Sequence, residues 1–203
     1  MKNVLLFGSK SLSRQSLLND MNINFLPVSQ DASEVVDENG LPFPDHIKKI
    51  ALQKMDHIIM PMAHKSEEAF VLTADTMGQD ARGNIYSKPK NKKDAVDQIK
   101  ALRGNGLVGT AFCLDKKKFD GNSWVVDERI LGYAETSYEL DIPDGWIERY
   151  LDHTPHYLQI SGSITVEGYG AQFLKSITGS YTTVLGLPLF QLREGLEDLG
   201  FFS

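Results

Sequence analysis

The sequence predicts an α/β fold, a mixed twisted sheet with flanking helices. Three observations carry that prediction. Short apolar runs closed by glycine or proline alternate with segments whose apolar residues recur at helical spacing. A β-α-β order appears at once, and a later apolar run delivers Asp75 at its carboxyl end, where open α/β sheets place ligands. The chain has 203 residues, 41% hydrophobic and 24% charged. Those are globular proportions, and they exclude disorder, collagen-like repeats and coiled coil.

Taken in order, Asn3 to Phe7 is a short apolar run ended by Gly8, the pattern of a buried strand. Ser9 to Ser13 reads as a small polar loop, after which Leu17, Leu18 and Met21 recur at helical spacing. Ile23 to Val28 is a second strand, and Asp37 to Pro44, with Gly40 and two prolines, is a loop. Asp45 is the expected N-cap of a helix with Ile47, Ile50, Ala51 and Ile58 on one face. Phe70 to Ala74 is a strand that ends at Asp75, and Ala95, Ile99 and Leu102 mark a helix stopped by Gly104. Val108 to Leu114 and Trp124 to Leu131 read as strands of a hairpin turning at Gly121-Asn122. Tyr133 to Ile142 alternates as a further strand. Pro143 and Asp144 open a helix carrying Trp146, Ile147, Tyr150 and Leu151. A glycine-rich stretch (Gly162, Gly168, Gly170) precedes a strand at Gln172 to Ile177, and a last helix follows Pro188. No repeat or linker marks an internal boundary, so residues 1–203 are expected to form a single domain.

A net charge of −6 argues against broad electrostatic affinity for nucleic acid or anionic lipid. The apolar runs fall short of a membrane span, and the N-terminus lacks an h-region with a cleavage site. Cys113 is the single cysteine, which forbids an intrachain disulfide and suits a reducing compartment. The expected location is the cytoplasm.

Several positions carry chemistry, each with a plainer reading beside it. The segment Gly8-Ser9-Lys10-Ser11-Leu12-Ser13-Arg14 joins a strand to a helix. Its amides and hydroxyls can cradle phosphate, with Arg14 gripping oxygens, or its serines can simply cap the helix. It is not a P-loop, because G-x-x-x-x-G-K-[ST] is absent. Asp75 can hold Mg²⁺ or activate water, or cap the turn that follows. Lys54 can lay its stem along the core and reach a cleft, or snorkel to solvent. Lys88 precedes Pro89, which restricts it to extended backbone. Glu34, with Asp31, can join Asp75 around a metal, although surface acids are common. Glu167 stands among Gly168 and Gly170, which permit close approach of a ligand but serve turns as often. The five histidines lack zinc spacing, Cys113 reads as a buried structural thiol, and Lys116-Lys117-Lys118 as a solvated turn.

Together these segments resemble the Maf family of nucleoside triphosphate pyrophosphatases over nearly the whole chain. The family's S-x-S-P-x-R-x-x-L-L loop is similar to Ser9-Lys10-Ser11-Leu12-Ser13-Arg14-Gln15-Ser16-Leu17-Leu18, with Leu12 in place of proline. Its L-A-x-x-K-A resembles Ile50-Ala51-Leu52-Gln53-Lys54-Met55, its A-D-T is Ala74-Asp75-Thr76, and its G-K-P resembles Ser87-Lys88-Pro89. The glycine-rich block runs from Gly162 through Glu167 and Gly168 to Gly170, and V-G-L-P-L resembles Leu185-Gly186-Leu187-Pro188-Leu189.

The resemblance implies two lobes around a central cleft. It also implies hydrolysis of a nucleoside triphosphate to monophosphate and pyrophosphate with a divalent metal, Mg²⁺ or Mn²⁺. In that reading Asp75, Lys54, Lys88, Arg14 and Glu34 are catalytic, Asp75 and Glu34 hold the metal, and Ser9, Ser11, Ser13 and Glu167 bind substrate. The position of Glu167 is glutamine in the branch resembling the dTTP/UTP enzymes and glutamate in the branch resembling the 7-methyl-GTP enzymes. A carboxylate only accepts hydrogen bonds, which suits the N1–H and amino edge of guanine. The Gly104-Asn105 turn, without the pyrimidine branch's histidine beyond it, points the same way. A guanine-type substrate, 7-methylated or not, is therefore the expectation, while Ser13, Ile160 and Ser87 differ from both branches or from the family. The resemblance also suggests a homodimer. The family's association with septum formation supplies an alternative, a non-catalytic nucleotide-binding regulator of cell division.

Overall fold

The computed structural model describes residues 3–32, 40–64 and 67–203. The chain divides into two compact units, one of residues 1–75, 111–133 and 186–203, the other of residues 76–110 and 134–185. A seven-stranded mixed sheet supplies strands to both. The expected α/β class, with a mixed sheet and flanking helices, is therefore what the chain forms.

In the first unit, β1 (Leu5–Phe7) lies between β2 (Phe25–Pro27) and β3 (Glu68–Asp80), parallel to each. The connections are α1 (Leu12–Asp20) and α2 (Phe43–Asp56). The expected loop at Ser9–Ser13 is shorter than read, because Ser11 caps α1 and Leu12 already starts it. Asp45 is not the N-cap of α2. The helix begins at Phe43 after Pro42, with Pro44 in its first turn, where a missing N–H costs nothing. Ile58 falls past the helix end, yet still packs beside Leu6, Met55, Val71 and Cys113.

β3 is longer than its apolar run, since residues beyond Asp75 pair with β4 (Ile85–Tyr86) through Gly78 and Gln79. The turn between them is organised by Asp80. Its carboxylate accepts the amides of Arg82 and Asn84, the Asn84 side chain and the Tyr86 hydroxyl, each at 2.9 Å. Burial alone would raise the Asp80 carboxyl, but these hydrogen bonds outweigh it and hold the group below its ordinary value. A depressed folded value stabilises the protein above the unfolded carboxylate range, near about pH 4, and that contribution fades as pH falls through the folded value. Asp80→Asn is thus expected to lower the melting temperature at pH 7. The gap from the parent should narrow in scans toward pH 3, and a gap that stays constant with pH would refute this.

β5 (Gly104–Phe119) and β6 (Trp124–Leu140) form the hairpin expected at Gly121-Asn122, and Asp120 Oδ1 accepts the amides of Asn122 and Ser123 at 2.8 Å. The two strands read on either side of Gly132 are one strand. A Cβ on Gly132 would lie 2.2 Å from the Phe112 ring, so this glycine permits a close approach instead of breaking the strand.

The triple lysine is not a solvated turn, because it lies within β5. Alternation puts Cys113, Asp115 and Lys117 on one face of that strand. Asp115 is fully buried, and Arg129 of β6 grips it twice, Nε to Oδ1 at 2.6 Å and Nη2 to Oδ2 at 2.7 Å. Lys117 Nζ stands 3.6 Å from Oδ2, and Arg129 also reaches Asp56 at 3.3 Å. Burial, with the Asp115 charge second, pushes the Cys113 thiol up to about 12, so it stays a protonated core side chain.

In the second unit, α3 (Lys92–Leu102), capped by Asn91, and α4 (Asp144–Asp152) enclose a core of Ala95, Ile99, Ile142, Ile147, Tyr150, Leu151 and Phe173. β7 (Leu174–Thr178) pairs antiparallel with Ser137–Leu140 of β6. A short helix, α5 (Tyr181–Val184), escaped the sequence reading. The last helix, α6 (Leu189–Asp198), begins after Pro188 as expected and returns to the first unit. Among the described residues no helix is long and apolar enough to cross a membrane.

Candidate active site

The first unit holds six of the described residues singled out in the sequence, Ser9, Ser11, Ser13, Arg14, Lys54 and Asp75. Phe7 pairs with Leu72, and the Gly8 amide donates to the Leu72 carbonyl at 2.9 Å before β1 leaves the sheet. β3 continues, so Asp75 stands three residues past the last paired position of its neighbour. Asp75 is therefore not at the end of its own strand, but it emerges just beyond the end of the adjacent one. That is the location at which open α/β sheets leave a crevice.

Thr73 and Asp75 share a face of β3 by alternation, and α2 covers that face. Thr73 Oγ1 donates to the Ala51 carbonyl at 2.7 Å. Lys54, one helical turn further, meets Asp75, one pleat further, and Lys54 Nζ donates to Asp75 Oδ1 at 2.7 Å. Ile47, Ile50 and Ala51 lie on the same buried helix face, so the lysine stem is packed instead of snorkelling to solvent. Lys54 is 7% exposed and Asp75 8%. Asp75 Oδ2 is buried and has no hydrogen-bond partner among the described residues. A buried carboxylate oxygen without a partner is costly, and it marks where a proton, a cation or a water is to be received.

Arg14 is a hub of this unit. Its Nε donates to the Gly186 carbonyl at 2.8 Å, and its Nη1 to the Ala74 carbonyl at 2.9 Å and to Ser9 Oγ at 3.2 Å. Arg14 thus ties the start of α1 to the Ala74 and Gly186 carbonyls and to the Ser9 hydroxyl. Ser9 Oγ also accepts the Ser11 amide at 3.3 Å. With two donors already facing its lone pairs, the Ser9 hydroxyl has its own proton to give, the orientation an anionic oxygen needs. Ser11 Oγ accepts the Arg14 amide at 3.4 Å, so the capping role holds for Ser11. Ser13 is half-buried inside the first turn of α1, not in the loop. Glu34 lies outside the described residues.

The second unit holds the other two. Lys88 is exposed, between exposed Ser87 and buried Pro89, and the Ser87 carbonyl accepts the Gly162 amide at 3.1 Å. Glu167 is half-buried, its amide donating to Thr165 Oγ1 at 3.2 Å. The Tyr181 phenol is raised by burial and then by the charge of Glu167, which places the two within electrostatic reach. Among the described residues, no group of three or more His, Cys, Asp or Glu side chains could hold a metal.

Two features escaped the sequence reading. The hook from Thr73 to Ala51 had a signal, a lone hydroxyl inside the apolar run Phe70-Val71-Leu72-Thr73-Ala74. The carbonyls that hold Arg14 had none, because any residue carries a carbonyl.

A βαβ unit with a hydroxyl-bearing helix start and a buried lysine–carboxylate pair beyond a strand end is the class of open α/β protein that binds ligands at a topological switch point. The family described as Maf-like protein matches residues 4–199. The chain belongs to the Maf family. A protein of Syntrophus aciditrophicus named dTTP/UTP pyrophosphatase is 33% identical over 198 residues, covering 97% of this chain and 90% of that protein. Similar proteins of the same name occur in Nitrosospira multiformis, 30% identical with 97% and 95% covered, and Fusobacterium nucleatum, 29% identical with 97% and 96% covered. Those names do not support the expected kinship with the 7-methyl-GTP branch.

Proposed function

We propose that this protein is a nucleoside triphosphate pyrophosphatase, its 203 residues acting as one functional domain in the cytoplasm. The observation that carries this reading is the buried Asp75 carboxylate, with Oδ1 held by Lys54 and Oδ2 without a partner among the described residues. Water adds to the α-phosphorus, the bond to the bridging oxygen breaks and pyrophosphate leaves, and the water proton passes to Asp75 Oδ2, or to bulk water when Oδ2 holds a cation. Lys54 fixes the carboxylate through Oδ1 and so orients Oδ2. In the roles the resemblance implies, Lys54, Lys88 and Arg14 offset negative charge on the leaving pyrophosphate, and Ser9 donates to a phosphate oxygen.

A divalent cation fits this donor set. A hard, buried carboxylate oxygen lacking a partner is the ligand Mg²⁺ or Mn²⁺ takes, and such ions use one or two carboxylates plus substrate phosphates. Asp75 would hold it, joined by Glu34 in the role the resemblance implies. When bound, the ion supplies charge neutralisation on the phosphates and a more acidic water.

Glu167 carries the choice of base. Its carboxylate accepts hydrogen bonds only, which fits the adjacent N1–H and amino donors of a guanine-type base, 7-methylated or not. The whole-length similarity to proteins named dTTP/UTP pyrophosphatase favours a second reading, a pyrimidine triphosphate. Pyrophosphate release from GTP, 7-methyl-GTP, dTTP and UTP, with Mg²⁺ or Mn²⁺, separates them. Guanine-type turnover that Glu167→Gln shifts toward pyrimidines is the expected result. Pyrimidine turnover that Glu167→Gln leaves unaltered selects the second reading, and no release from any triphosphate selects the non-catalytic regulator.

A further inference from the structure

We propose that Tyr150 is a positioning residue for base selectivity, acting through the Ser163–Thr165 turn that leads to Glu167. This rests on the reading of Glu167 as the group that meets the base.

Tyr150 is fully buried on the apolar face of α4, in a core where phenylalanine would fill the same space. Its hydroxyl nevertheless works in both directions. It donates to the Ser163 carbonyl at 3.2 Å and accepts the Thr165 amide at 2.8 Å. The turn it brackets has an unfavourable shape, because Ser163 sits at φ +58°, a region L-residues seldom occupy. Burial raises the phenol above its ordinary value, so it stays a neutral donor and acceptor at working pH.

From there the path to Glu167 is short. Thr165 Oγ1 accepts the Glu167 amide at 3.2 Å, and the Glu167 carbonyl accepts the Gly170 amide at 3.0 Å. A Cβ at Gly170 would stand 1.9 Å from the Thr165 carbonyl oxygen, so the loop closes tightly on Thr165. The backbone of Glu167 is therefore fixed from both sides, and both sides refer back to Thr165, which Tyr150 holds.

The test uses the full chain and steady-state pyrophosphate release from GTP and dTTP, for the parent and for Tyr150→Phe, Thr165→Val and Thr165→Ser. Tyr150→Phe and Thr165→Val are each expected to reduce the selectivity ratio, taken as kcat/KM for the preferred over the disfavoured base, by about tenfold. The loss should appear in KM, with kcat for the preferred base within about twofold of the parent. Thr165→Ser keeps the hydroxyl and should retain the parental ratio. A variant that loses kcat/KM equally for both bases acts structurally, and that result would overturn the proposal. If Tyr150→Phe fails to fold, the Thr165 pair still decides. A parent whose selectivity is untouched by Glu167→Gln removes the underlying reading of the base site. A parent that responds to Glu167→Gln but not to Tyr150→Phe or Thr165→Val removes only this inference.

Discussion

Asp75→Asn lowers pyrophosphate release by about a hundredfold or more, the contribution expected of a positioned general base. The substitution is close to isosteric, and the amide oxygen can still receive Lys54 Nζ, which sits 2.7 Å from Oδ1 in the parent. The loss should therefore appear in turnover while the folded protein persists. Asparagine offers Lys54 an acceptor but gives the attacking water no base. Measuring kcat beside a thermal melt separates the two effects. A variant that keeps the parental rate would remove Asp75 from the chemistry, and one that melts far below the parent would make it a structural acid.

The largest effect on stability is expected at Arg129. Asp115 is fully buried, and Arg129 occupies both of its oxygens. Removing one partner of such a pair leaves an uncompensated buried charge, which costs about 3–5 kcal/mol. Here the cost falls to roughly 2–3 kcal/mol, because Arg129 is partly exposed and Lys117 stands near the same carboxylate. Arg129→Met should lower the melting temperature by about 5–10 °C in a chain of this size. Adding Asp115→Leu to that variant removes the stranded charge and should recover most of the loss. A double variant no better than the single would show that the carboxylate is not what suffers.

Much of the fold was legible because the signals were local. The periodicity of Ile47, Ile50, Ala51 and Lys54 marked the buried face of α2, and the apolar run before Asp75 marked β3. What stayed hidden depends on distant partners. β3 runs past its apolar run because β4 is there to pair with it, and Lys116 to Lys118 are strand residues because Glu68, Asp115 and Asp127 neutralise them. Gly132 reads as a break until Phe112 is seen filling the space a side chain would take. Lys54 and Asp75 were each nameable from the sequence, but neither the bond between them nor the use of the Tyr150 hydroxyl was. A tyrosine at an apolar helix position looks like core, and only the three-dimensional neighbourhood shows that its oxygen has two partners.

The Arg14 hub has a consequence for the timing of biosynthesis. Its Nε acceptor, the Gly186 carbonyl, lies 172 residues further along the chain. While the polypeptide is still being translated, β1, α1 and β3 can assemble early. At that stage the guanidinium has Ala74 and Ser9 but not its C-terminal anchor. The guanidinium is therefore locked at Nε only once Gly186 has been made and has joined the first unit.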